Sequence, residues 1–239
     1  MSKRFIVEDK NIVKKENLIE ISGEQVNHIK ALRHEIGENI NVNNYLVKLQ
    51  KIDKDKIYGE VLDKACEVGV PNKNITLIQS YLKSDKMEYV VQKAVELGAS
   101  SIQPVLSKNT VVKLDEKDMI KKQERLNKIA VEAVGQCGRT DMVSVLPIKR
   151  LCDIDLSFFD LVILCHEKAV NSINGIEKYI GDVYKIAILI GPEGGFDDNE
   201  VDNMSKGKNV VSIVFGKRIL RAETASVYML SILDYLSNI

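Results

Sequence analysis

Lys185-Ile186-Ala187-Ile188-Leu189-Ile190, followed at once by Gly191-Pro192-Glu193-Gly194-Gly195-Phe196, decides the fold of this chain. An unbroken apolar run of strand length reads as a strand covered on both faces, as strands of a parallel sheet are. The glycines after it let the backbone turn tightly and bring main-chain N–H and C=O groups within reach of a ligand. Asp197-Asp198-Asn199-Glu200 then opens a helix with capping acids. The same strand–turn–helix unit recurs downstream, with a strand over 210–215, the turn Gly216-Lys217-Arg218-Ile219-Leu220-Arg221, and a helix from Ala222 to about Leu236. Upstream, residues 160–165, 75–78 and 101–106 have the composition of further strands, Pro104 placing the last at an end. A helix from Ser84 or Asp85 is stopped by Gly98, and a longer one runs from about Glu116 to Val134. Alternating buried strands and helices predict an α/β domain with a mostly parallel sheet and helices on both faces.

The texture changes near Gly69-Val70-Pro71. Before it, short alternating groups at 18–21, 39–42, 45–49 and 56–62 read as strands, with one helix from Gly23 or Glu24 to about Leu32. The sequence thus predicts a small β domain over 1–70 and the α/β domain over 71–239.

Composition narrows the function. The chain has 239 residues, with 34 Lys and Arg against 34 Asp and Glu, 45% hydrophobic and 28% charged. A neutral chain with 5% aromatics and no Trp is not a stacking platform for nucleic acid, although it leaves room for a local basic site. Residues 71–150 hold 14 basic and 9 acidic side chains, a surplus that solvated helix faces would also explain. Cys66, Cys137, Cys152 and Cys165 are scattered, without metal-ligand spacing, so neither a metal site nor a disulfide framework is expected. No apolar run reaches membrane-span length and the first residues are charged, so no membrane association and a cytoplasmic location are expected.

Three turns at strand or helix ends are candidate sites: 190–196, 215–225 and Gln136-Cys137-Gly138-Arg139. Each has a plain structural explanation: a glycine turn without a ligand, an acid complementing a helix dipole, a basic residue at a helix C-terminus. Two glycine-bearing turns in successive βα units favour a shared pocket. His28, His34 and His166 have no nucleophile paired with them in sequence; His166 ends a strand.

With these residues in view, the sequence resembles the bacterial 16S ribosomal RNA (uracil-N3)-methyltransferase family of the knotted SPOUT class. The matching segments are Asp85-Lys86-Met87-Glu88-Tyr89, Lys93-Ala94-Val95-Glu96-Leu97-Gly98, Gln136-Cys137-Gly138-Arg139, Asn171-Ser172-Ile173, Ile190-Gly191-Pro192-Glu193-Gly194-Gly195 and Arg218-Ile219-Leu220-Arg221-Ala222-Glu223-Thr224-Ala225. His28-Ile29-Lys30-Ala31-Leu32-Arg33 resembles the family's PUA-like domain. The chain departs from the pattern at Gly135, where the family usually has Glu, at Val143 in place of Pro, and at Asn43-Asn44 in place of Asp-Gly.

The resemblance implies a C-terminal SPOUT trefoil-knot domain and a small N-terminal PUA-like β-barrel. It implies S-adenosyl-L-methionine held by Leu164, His166, Ile190, Gly191, Gly195, Phe215, Ile219, Leu220 and Thr224 in a homodimer. The substrate would be 16S rRNA in the small ribosomal subunit, methylated at N3 of a uridine in the decoding region. Catalytic roles would fall to Arg221, Glu223, Glu193 and Arg139, and RNA contacts to Lys3, Arg4, His28, Lys30, Arg33, Gln136 and Arg139. The alternatives are a SPOUT RNA methyltransferase for another nucleotide, or a non-catalytic RNA-binding ribosome-assembly factor. A Rossmann methyltransferase is disfavoured because Ser80-Tyr81-Leu82-Lys83-Ser84 stands where its glycine turn belongs.

Overall fold

The computed structural model describes residues 4–7, 9–64, 69–83 and 85–237; Lys3, Cys66 and Ser84 lie outside the described residues. The chain divides into two compact units, one formed up to Val70 together with Val131–Met142, the other by Pro71–Ala130 and from Val143 onward.

The first unit contains β1 (Arg4–Phe5), β2 (Ile12–Lys15), β3 (Leu18–Ser22), α1 (Glu24–Ala31), β4 (Asn39–Val42), β5 (Tyr45–Ile52) and β6 (Lys56–Lys64). These strands form one sheet in the order β1-β4-β5-β6-β3-β2. Pairing is antiparallel except between β1 and β4. Alternation sends Ile19, Ile21, Ile40, Val42, Val47, Leu49 and Ile57 into one core, joined by Val26 and Ile29 from α1. Asn43 begins the two-residue turn between β4 and β5 with a φ of 48°, a left-handed conformation that Asn tolerates. Its side chain accepts from the Val7 N–H at 2.8 Å and donates to the Val7 carbonyl at 2.8 Å, which a glycine turn could not do.

The second unit carries β7 (Asn74–Ser80), α2 (Asp85–Glu96), β8 (Ser101–Leu106), the start of α3 (Glu116–Cys137), β9 (Ser144–Val145), β10 (Lys149–Arg150), β11 (Leu161–Cys165), β12 (Asn171–Ser172), α4 (Glu177–Ile180), β13 (Lys185–Ile190), α5 (Asp198–Met204), β14 (Val210–Val214) and α6 (Ala222–Ser237). The strands run β10-β8-β7-β13-β11-β14-β12, with β9 also beside β8, and every pair is parallel. Val162, Leu164, Ala187 and Leu189 pack with Phe196 and Met204 on one face. The alternate residues Ile163, Ile186 and Ile188 are fully buried too, so the apolar runs mark strands covered on both sides. Helices α2 and α6 pack together through faces that bury Met87, Val90, Val91 and Ala94 on one and Met229, Leu230 and Leu233 on the other.

Pro104 lies inside β8 rather than at its end. It stays compatible with the sheet because β9 covers Ser101–Ile102 and β10 covers Val105–Leu106, leaving a gap at 103–104 on that side. Helix α3 runs one turn beyond its expected end, and its residues from Val131 belong to the first unit. Gly135 has a structural reason: a Cβ there would stand 3.2 Å from the Arg4 carbonyl oxygen.

Candidate functional site

The carboxyl ends of β13, β11 and β14 lie side by side, and the turns leaving them enclose a cavity of about 840 Å3. In open parallel sheets ligands settle at this edge, where strands give way to helix N-termini. Cys165 and His166 enter from the end of β11, residues 190–198 from the turn into α5, and residues 214–222 with Ala225 from the turn into α6. Lys86 in the first turn of α2 and Asn109 in the loop after β8 complete the wall.

The glycine turn is closed on itself. The Gly195 N–H donates to the Pro192 carbonyl at 2.9 Å, and Gly195 has a φ of 71°. A Cβ on Gly191 would meet the Phe196 nitrogen at 3.2 Å, so backbone fills the space that a side chain would need. Asp197 and Glu200 form a capping box, with the Asn199 N–H on Asp197 Oδ1 at 3.1 Å and the Asp197 N–H on Glu200 Oε2 at 3.1 Å. The loop after β8 grips this turn. Lys108 Nζ donates to Asp197 Oδ2 at 2.6 Å, its N–H donates to Glu200 Oε1 at 2.8 Å, and Asn109 Nδ2 donates to the Gly195 carbonyl at 3.2 Å. The Lys108 hydrogen bond holds the Asp197 carboxyl below the usual carboxylate range and raises the lysine in turn.

Charge converges at the mouth. Lys86 Nζ lies 3.5 Å from Glu193 Oε1 and 3.5 Å from Glu223 Oε1, bridging the glycine turn to the first turn of α6. The Glu223 side chain is 16% exposed. Its second oxygen, Oε2, is buried and has no hydrogen-bond partner among the described residues. A carboxylate with one oxygen held by an ammonium and the other without a donor has an open acceptor position. Arg221, exposed in the cavity wall, immediately precedes α6. Below them, Ser226 Oγ donates to Gln79 Oε1 at 2.5 Å; both residues are fully buried, which ties α6 to the end of β7.

Of the residues expected from the sequence, His166, Ile190, Gly191, Gly195, Phe215, Ile219, Leu220, Glu193 and Arg221 line the cavity. Leu164 does not: strand alternation turns its side chain into the core beside Leu189 and Phe196, and the wall there is Cys165, whose thiol burial pushes up. Thr224 is exposed and lies outside the wall, on the outer side of the α6 first turn. Arg139 is 3% exposed, falls in the first unit, and is paired with Asp141 through Nε at 3.0 Å and Nη2 at 2.6 Å. In this arrangement Asp141 takes up the guanidinium; Gln136 on the same helix end is exposed. Arg4 is 6% exposed, with Nη1 donating to the Asn43 carbonyl at 2.5 Å. His28, Lys30 and Arg33 are exposed, though Lys30 Nζ already donates to the carbonyls of Asp53 and Lys54. Lys86 and Asn109 were missed as wall residues. Lys86 sat within a matching segment, but nothing in its surroundings reveals that the start of α2 meets turns a hundred residues later.

Among the described residues no group of three or more His, Cys, Asp or Glu side chains is placed to hold a metal ion. No described helix is long and apolar enough to cross a membrane.

Residues 70–234 match the model of the RNA methyltransferase domain family. The chain is 30% identical to ribosomal RNA small subunit methyltransferase E of Bacillus subtilis, the match covering 98% of this chain and 96% of that one. It is 33% identical to the protein of that name from Mesomycoplasma hyopneumoniae, over 95% of this chain and 97% of the other. Its fold is similar to the crystal structure of a ribosomal RNA small subunit methyltransferase E from Neisseria gonorrhoeae bound to S-adenosyl methionine. The TM-score is 0.85 at 28% identity, over 99% of this chain and 98% of that one.

Proposed function

Because this chain belongs to the ribosomal RNA small subunit methyltransferase E family, we propose that it transfers a methyl group from S-adenosylmethionine to N3 of a uridine in the decoding region of 16S rRNA. The observation that carries this reading is the cavity at the carboxyl ends of β11, β13 and β14, with Arg221 and the Lys86-bridged carboxylates in and beside its wall.

The wall fits the cofactor. Ile190, Phe215, Leu220 and Ala222 offer apolar surface, and the turn closed over Gly191 offers backbone groups in place of side chains. The volume lies within the range of about 300–1,000 Å3 usual for ligand cavities. S-adenosylmethionine, when bound, supplies a methyl group carried on a positively charged sulfur.

The chain's own residues must then prepare the acceptor. Uracil N3 carries a proton and is a poor nucleophile until that proton leaves. Glu223 Oε2 is the acceptor in this reading, supported by its lack of a hydrogen-bond partner among the described residues and by the Lys86 ammonium beside Oε1. The electron pair of the N3–H bond stays on nitrogen and would form the new bond to the methyl carbon, while the pair of the broken sulfur–methyl bond would leave on sulfur as a neutral thioether. Arg221 supports the negative charge that spreads to the uracil oxygens. Glu193, on the other side of Lys86, fixes that ammonium in position.

His28, Lys30 and Arg33 form part of the RNA surface of the first unit, contacting phosphates and RNA shape. A homodimer acting on the small ribosomal subunit in the cytoplasm completes the reading. The test is incubation of the protein with labelled cofactor and undermethylated small subunits, followed by location of the label. Label at N3 of a single uridine is expected. Label on another nucleotide would support a different RNA specificity, and no label would support an assembly factor.

A further inference from the structure

We propose that the outer face of α3 is a second contact for the RNA backbone, carried by Lys117, Lys121 and Lys128. This rests on the reading of the chain as an RNA methyltransferase and adds a binding surface outside the first unit. At 3.6 residues per turn the three lysines fall within about 40° of one another. Leu126 and Ala130, both buried, lie on the opposite side of the helix. All three lysines are exposed, and none has an ion-pair partner among the described residues. Arg125, at the edge of the same face, reaches Glu88 at 2.8 Å with a side chain still 70% exposed.

Helix stability does not explain this face. Lys117 with Lys121, and Lys121 with Arg125, are like charges at i and i+4, a spacing that destabilises a helix. Lys117 also sits in the first turn, at the positive end of the dipole. Glu124 lies within the same face, about 20° from Lys117 and spaced to pair with Lys121 or Lys128, yet it forms no ion pair with either. Glu116 and Asp118 lie about a quarter turn to either side. A polyanion offsets the repulsion that the helix itself leaves unbalanced.

The position fits the substrate. The loop that carries Asn109 in the cavity wall runs from the carboxyl end of β8 directly into α3, so the helix starts from the sheet edge that holds the cavity. On the other side of the cavity the exposed Lys217 and Arg218 line its wall, with no ion-pair partner among the described residues. An RNA strand delivering a base to the cavity meets cations on both sides.

The experiment measures binding of a fluorescein-labelled transcript of the 16S decoding region at several KCl concentrations, comparing wild type with the triple variant K117Q/K121Q/K128Q. The slope of log affinity against log salt should fall by about two, since each phosphate that is no longer neutralised removes roughly 0.7–0.9, and affinity at moderate salt should weaken at least about tenfold. Melting temperature and S-adenosylmethionine affinity should stay at wild-type values. In a second variant, Glu124→Gln should tighten RNA binding by removing that carboxylate from the face. A triple variant with wild-type slope and affinity, or no effect of Glu124→Gln, would overturn this inference alone. Failure of the wild-type protein to bind the transcript would overturn the functional reading and this surface with it.

Discussion

Glu223→Gln separates the proton acceptor from the cofactor cavity. The substitution keeps the shape of the side chain and its place in the first turn of α6, but an amide oxygen does not take up a proton near neutral pH. The Oε2 position is buried and without a hydrogen-bond partner among the described residues, so the substitution breaks no hydrogen bond at that atom. General-base catalysis contributes about 10²- to 10⁴-fold, so the methyl-transfer step should slow by that factor, roughly 3–5 kcal/mol of barrier. Lys86 keeps Glu193 at 3.5 Å after the change, so the bridge to the glycine turn survives. S-adenosylmethionine affinity should therefore shift by less than about threefold, a difference near 0.6 kcal/mol. The assay is single-turnover transfer of labelled methyl with RNA and cofactor both saturating, beside calorimetry of the cofactor alone. A rate within threefold of wild type would refute Glu223 as the acceptor. A matched loss of rate and cofactor affinity would instead make it part of the cavity's framework.

Three further outcomes follow from packing and charge. Ser226→Ala should lower stability by about 1–3 kcal/mol in denaturant titration, because it leaves the buried Gln79 carbonyl oxygen without its 2.5 Å donor. Asp160 accepts the N–H groups of Lys185 at 2.7 Å and Tyr184 at 3.0 Å, and these hold its carboxyl below the ordinary range. Its contribution is thus present above the unfolded-state carboxylate pKa and lost as pH falls through the folded value, so the melting-temperature gap between wild type and Asp160→Asn should close at low pH. Burial pushes the Cys165 thiol up, whereas Cys137 and Cys152 are exposed, so maleimide labelling of the folded protein followed by peptide mass spectrometry should modify those two well before Cys165.

The residues that announced the fold did so through local pattern. The runs at Leu161–Cys165 and Lys185–Ile190 carry enough Val, Ile and Leu to be recognised as doubly covered strands, and the capping box at Asp197 and Glu200 marks the start of α5. The two-residue strands at Ser144–Val145, Lys149–Arg150 and Asn171–Ser172 were not legible, because two residues show no period and their pairing is set by the neighbouring strand. Pro104 misled in an instructive way: it marks a gap between two partner strands, which only tertiary context reveals.

The candidate site divides similarly. The glycine turn and the residues before Ala222 follow directly from strand ends, so most of the wall was readable. Leu164 stands one position before the wall residue Cys165, and the face a side chain takes at a strand end depends on the last paired residue; there Cys165 is still paired with Ile190. Arg139 and Arg4 carry charge suited to RNA, but their burial and their partners come from the folded surroundings, such as Arg4 with the distant Asn43. The bridge from Lys86 to Glu193 and Glu223 joins three separated segments, and no spacing rule along one of them could reveal it.

A crystal grown with S-adenosylmethionine tests the account most directly. Density for the cofactor is expected between the Gly191–Gly195 turn and the segment from Phe215 to Arg221, with its methyl group directed toward Glu223 and Arg221. An empty cavity at saturating concentration, or the molecule bound elsewhere on the chain, would contradict it.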